Sequence, residues 1–128
     1  MVKLVYCLRR RADISLEEFY RYWLNTHAPK VKSMAEALGA QRYIQSHTCA
    51  AELNQLFADS RHLAPAYDGI TEIWWDSVED LKAAMSTSSG AEAMSTLMTD
   101  ESRFIDFSQS CAFMTTEHSI FDSYVTGS

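Results

Sequence analysis

Val2 to Arg9 alternates with the period of two that a strand imposes: Val2, Leu4, Tyr6 and Leu8 share one face, and Lys3, Val5, Cys7 and Arg9 the other. Both faces carry apolar residues, so this strand is predicted to be covered on both sides. Ser15-Leu-Glu-Glu18 has the form of a capping box. The helix it starts carries an inward stripe of Leu16, Phe19, Tyr20, Trp23 and His27 at three- and four-residue steps. Pro29 lacks an amide donor and disfavours helical geometry before it, which predicts a break between Thr26 and Ala28. A second segment carries Val31, Met34 and Leu38 and ends at Gly39, where a left-handed residue is wanted.

Gln41 to Thr48 alternates again, with Gln41, Tyr43, Gln45 and His47 making one unusually polar face. After the Tyr67-Asp68-Gly69 turn, Ile70 to Trp75 reads as a strand, and Ser77-Val-Glu-Asp80 caps a helix reaching about Met85. A second short helix is predicted within Ser88 to Asp100, then an extended region from about Phe104 to Glu117. Residues 49–67, helix-compatible from Ala50 to Ala58, form an insert longer than packing requires, which suits a lid or a subunit contact. The tail, 118–128, is predicted to add a short edge strand or clasp a partner over His118 to Tyr124, with loose last residues.

The order strand, helix, strand, strand, helix, strand gives the fold class α+β: a ferredoxin-like split β-α-β domain with an antiparallel sheet, residues 1–128 forming one domain. Helices cover one sheet face in that topology. Because the strands look apolar on both faces, the economical way to bury the second is against the sheet of another copy, as a homodimer forming a dimeric α+β barrel.

Composition narrows the partners. A net charge of −6 and pI near 5.1 leave no basic footprint for nucleic acid, the run Arg9-Arg10-Arg11 reading as a solvent-facing strand end. No stretch approaches the ~20 apolar residues of a membrane span, and the first residues run directly into a strand pattern, so a cytoplasmic protein is expected. Cys7, Cys49 and Cys111 have no metal-ligand spacing and read as reduced thiols.

The segments Val2-Lys-Leu-Val-Tyr-Cys-Leu-Arg-Arg10, Leu16-Glu-Glu-Phe-Tyr-Arg-Tyr-Trp23, His27-Ala-Pro29, Gln41 to His47, Asp68 to Trp75 and Asp100 to Asp106 resemble the EthD-like family of dimeric α+β barrels. The Trp-x-x-x-His-x-Pro element is the most specific of them. The resemblance implies a homodimer with a pocket between helices and sheet, and catabolic chemistry on hydrophobic, aromatic or ether-type compounds of oxidoreductase or dehydratase type. It equally accommodates a non-catalytic accessory or carrier protein of an oxygenase pathway, or a structural partner docking another protein.

Within that frame His27 is the first candidate acid or base, since it sits on the Trp23 stripe beside the helix break. The alternative is an imidazole satisfied by nearby carbonyls that merely fixes the turn. His47 and Tyr43 share a strand face with Gln45, a row suited to holding a polar ring-bearing substrate or to a hydrogen-bonded interface. Glu72, among Ile70, Ile73, Trp74 and Trp75, is a third candidate acid or base, with an ion pair to Arg42 or a charged dimer contact as the plainer role. Trp23, Trp74, Tyr6 and Tyr43 would bind substrate through apolar walls, although aromatics at such spacings also simply fill cores. No glycine-rich phosphate loop, nucleophile elbow or paired metal-ligand histidines are present, so no cofactor and no metal are expected. The pattern leaves open which strand face meets the helices.

Overall fold

The computed structural model describes residues 1–125; the looseness expected of the final residues concerns 126–128, outside the described part. Four strands, β1 (Val2–Leu8), β2 (Arg42–His47), β3 (Gly69–Trp75) and β4 (Cys111–Thr115), form one antiparallel sheet in the order β2-β3-β1-β4. This is the ferredoxin-like α+β arrangement, with β1 and β3 central. Register places Tyr6 opposite Thr71 and Ala112, and Tyr43 opposite Ile73. The residues 118–125 add no strand.

Helix α1 (Leu16–Tyr22) begins as its capping sequence requires, the Ser15 side chain accepting from the Glu18 amide at 3.1 Å. Its stripe is buried at Phe19, Trp23 and His27, whereas Leu16 remains 44% exposed. The predicted break does not occur. Trp23–His27 instead forms a π-helical turn leading directly into α2 (Ala28–Ser33), with the Ala28 amide bonded to the Trp23 carbonyl. The widened turn takes up an extra residue and relieves the clash that Pro29 would make with an ordinary preceding turn, so the chain bends without separating. α3 (Ala35–Leu38) closes at Gly39 in the left-handed region, φ 69°.

The insert contains α4 (Ala51–Arg61), which buries none of its residues and exposes Leu53, Leu56 and Phe57. The arginine run, expected to face water, is tied to the chain. Arg9 donates to the carbonyls of Pro65 and Ala66 and lies 4.4 Å from the Tyr67 ring, Arg10 donates to Ile14, and Arg11 pairs with Asp13. Three guanidiniums at a strand end find open loop carbonyls that an alternating pattern cannot reveal.

α5 (Val78–Ser86) and α6 (Ser88–Glu101), the latter longer than expected, lie with α1–α3 on the sheet face bearing Leu4, Tyr6, Leu8, Tyr43, Thr71 and Trp75. Buried side chains there form two clusters, one of Leu8, Phe19, Trp23, Phe104 and Ile105, the other of Val31, Leu38, Ala93 and Leu97. The opposite face carries Val5, Ile44, Ile70 and Phe113 around a Lys3–Glu72 ion pair of 2.8 Å, and Phe113 is 50% exposed.

Trp23 packs directly against Gly69: a Cβ there would sit 2.5 Å from the indole and 2.9 Å from the Ser46 carbonyl. Gly69→Ala is therefore expected to cost ~1–3 kcal/mol through overpacking, read as a lower midpoint in urea unfolding with an unchanged slope.

Candidate functional site

Neither buried cluster fills the space between helices and sheet, and a cavity of about 570 Å³ remains between them. That lies within the ~300–1,000 Å³ usual for small-molecule pockets. Leu4, Leu8, Ile73 and Trp75 of the sheet, and Val31 and Leu97 of the helices, give it a mainly apolar wall. Its ionisable lining groups are, among the described residues, His27, Glu101, Tyr6 and Tyr43, with no lysine or arginine.

His27 ends the π turn and is 4% exposed. Its Nδ1 lies 2.7 Å from Oδ2 of Asp100, near the end of α6. Asp100, also 4% exposed, accepts on Oδ1 from Lys30 Nζ at 2.7 Å and from the Tyr22 hydroxyl at 2.5 Å. Burial pushes its carboxyl up, but the hydrogen bonds from Lys30, Tyr22 and His27 outweigh it and hold the group at about 2. An ionised carboxylate only accepts hydrogen bonds, so the imidazole proton sits on Nδ1 and the lone pair on Nε2. Nε2 makes no hydrogen bond among the described residues, yet no fully buried side-chain nitrogen or oxygen there lacks a partner. His27 lines the cavity, and with Nδ1 held by Asp100 the unbonded Nε2 is the nitrogen left to meet it. Burial lowers the His27 pKa against the opposing pull of Asp100, so the ring is neutral at pH 7.

Glu101 follows Asp100 at the end of α6 and faces the same cavity. Burial raises it to about 7, against a hydrogen bond from the Tyr6 phenol that lowers it and with a smaller push from the Asp100 charge. The Tyr6 phenol stands against it, its own pKa raised first by burial and then by the Glu101 charge. A carboxyl group that ionises at ~4.3 in the unfolded chain and at about 7 when folded favours the folded state at low pH. The resulting cost is absent below ~4, grows as pH rises and is complete above ~7, amounting to about 4 kcal/mol. Glu101→Gln should accordingly raise stability at pH ~8 relative to wild type and flatten the decline between pH ~5 and ~8, as urea midpoints across that range will show.

The other residues singled out by sequence divide between the two sheet faces. Trp23, Tyr6 and Tyr43 line the cavity with His27. His47 lies on the same sheet face but behind the cavity wall, stacked on Trp23 at 4.4 Å and Tyr20 at 5.0 Å, with Nε2 bonded to Gln45 at 2.8 Å. Gln45 in turn donates to the Tyr43 hydroxyl and the Trp23 carbonyl, so the polar row of β2 is bonded internally. Glu72 and Trp74 lie on the opposite face. Glu72 pairs with Lys3 instead of Arg42, whose guanidinium is stacked 4.5 Å from Trp74. Asp100 and Glu101 were not singled out, although two adjacent carboxylates at the C-terminal, electronegative end of a helix break a local rule and are a signal in themselves.

Comparison with known proteins gives three findings. A family model described as the EthD domain matches residues 11–108. No curated protein matches the chain significantly. Among solved structures, an ethyl tert-butyl ether d (EthD) family protein from Bacillus halodurans is 20% identical, with 92% of this chain and 99% of that chain covered and a TM-score of 0.62. A dimeric protein of ferredoxin-like fold from Bacteroides fragilis is 10% identical over 89% of this chain and 93% of its own, TM-score 0.56. SnoaB of Streptomyces nogalater, described as a cofactor-independent oxygenase, is 12% identical over 92% and 93%, TM-score 0.51. At these identities the structural likeness speaks to fold alone.

Proposed function

The chain belongs to the EthD domain family, and on that footing we propose that it is a cofactor-independent enzyme moving a proton on an apolar, oxygenated small molecule held in the cavity. One observation carries this: His27 lines the cavity with one ring nitrogen 2.7 Å from the ionised Asp100 and the other free of hydrogen bonds among the described residues. An anchored imidazole of that kind is a general base on Nε2 that, once protonated, returns the proton as an acid. The apolar wall strengthens its electrostatics by excluding water, and no metal or nucleotide is required for the step.

Abstraction of a proton next to a carbonyl or ring oxygen is a step common to isomerisation, dehydration and the activation of phenolic compounds toward oxygen. The description of SnoaB as a cofactor-independent oxygenase is compatible with this class. Residues 1–128 act as one domain, and a second copy covers the sheet face bearing Val5, Ile44, Ile70 and Phe113; two structurally similar proteins are described as dimeric.

α-Tetralone, a ring ketone with exchangeable hydrogens next to its carbonyl, tests the chemistry directly. In D₂O the protein should speed deuterium incorporation at that carbon, followed by NMR. Binding without exchange above the buffer rate would overturn the catalytic reading and leave a carrier.

A further inference from the structure

The cavity has a second polar corner that the His27–Asp100 pair does not use. Glu101 on α6 and Tyr6 on β1 stand together in it, the phenol within hydrogen-bonding reach of the carboxyl, and among the described residues neither is bonded to any other side chain. Each group keeps hydrogen-bonding capacity beyond that contact, and both line the cavity. With no lysine or arginine among the described residues of the lining, no cation there compensates a negative ligand. The ionisable groups facing Glu101 are Tyr6 from β1, Tyr43 from β2 and its own neighbour Asp100, none of which is cationic. Lys30 and Arg103 are directed to Asp100, where they sit at 2.7 and 3.8 Å from Oδ1.

We propose that Glu101, with Tyr6, is a charge-selecting anchor: the cavity takes uncharged ring compounds bearing a hydroxyl or carbonyl group, and admits a carboxylate only when Glu101 has taken up a proton. This rests on the proposed use of the cavity and adds the chemical class of its ligand. Ionised Glu101 accepts from a phenolic or enolic hydroxyl. Protonated Glu101 and the Tyr6 hydroxyl instead donate to a carbonyl oxygen, which leaves His27 free to act on the neighbouring carbon. A carboxylate beside ionised Glu101 meets an unscreened like charge in an apolar wall. Burial of Glu101 sets the crossover near neutral pH.

2-Naphthol and 2-naphthoate share a ring system and differ in charge, so the test is their affinity for the wild-type protein by calorimetry from about pH 6 to about pH 8.5. Naphthoate affinity is expected to fall by up to about tenfold per pH unit above neutrality, the signature of one linked proton. Naphthol affinity should stay within a few-fold. Titrations at pH ~8 in two buffers of different ionisation enthalpy should show uptake of close to one proton per naphthoate. This reading needs no variant and so does not depend on one folding.

Glu101→Gln should erase the pH step and His27→Ala should keep it, since His27 titrates at lower pH. A flat naphthoate profile in wild type, a step that survives Glu101→Gln, or failure of both probes to bind would each overturn the inference. The α-tetralone exchange is read separately. A missing step with exchange intact removes only the anchor, and an intact step without exchange removes only the catalysis.

Discussion

His27→Ala is expected to lower the rate of deuterium exchange into α-tetralone by ~10²–10⁴-fold, the usual contribution of a positioned general base. The ring being deleted carries its only reactive lone pair on Nε2, and among the described residues no other neutral base lines the cavity once Glu101 is protonated. His47 cannot substitute, because its Nε2 is bonded to Gln45 behind the Trp23 wall. The pH profile gives a second reading of the same role. A base with a lowered pKa stays competent at pH 7 and loses activity only as pH falls below its ordinary ~6.5. Wild-type exchange should therefore fall away on the acid side. The small residual rate of the alanine variant should lack that limb.

Asp100→Ala should be the most damaging single change to stability, at ~3–5 kcal/mol, the usual cost of removing one partner from a buried charged cluster. Three groups lose their acceptor at once: the His27 ring, the Tyr22 hydroxyl and the Lys30 ammonium. Asp100→Asn keeps the shape and separates stability from chemistry. Its amide can donate to Nδ1, which moves the imidazole proton to Nε2 and removes the lone pair from the cavity. Exchange should then collapse in a protein that still folds.

The acid limb of unfolding reports on the same carboxylate. Asp100 is held at about 2 in the folded chain, below its ordinary ~3.9. The stability it contributes is complete above ~4 and lost as pH falls toward 2, so both substitutions should remove that part of the acid sensitivity.

Much of the fold was legible because period and capping are local properties. Ser15, Ser77 and Gly39 all do what their positions imply. The Phe19-Trp23-His27 stripe was legible for the same reason, since an inward helical face is written at three- and four-residue steps. Strand faces were another matter. Trp74 and Trp75 are adjacent and point to opposite sides, and in a strand apolar on both faces nothing local says which side the helices take. Trp75 proved to be the cavity residue, its indole bonded to the Leu38 carbonyl at 2.9 Å, while Trp74 and Glu72 took the other face. Asp100 and Glu101 stayed hidden because their meaning is tertiary. Asp100 becomes half of a pair only when α6 is laid beside a turn 73 positions earlier in the chain. The π turn was missed for a related reason, since Pro29 states that an ordinary turn is strained without stating how the strain is relieved.

The imidazole of His27 can be observed directly by long-range ¹H–¹⁵N NMR, its signals assigned by their loss in His27→Ala. The expected spectrum at pH 7 shows a neutral ring protonated on Nδ1, with an Nε2 resonance that moves when 2-naphthol fills the cavity. A ring protonated on Nε2, or an Nε2 signal indifferent to ligand, would mean that the lone pair does not face the cavity and that the proposed chemistry has no base.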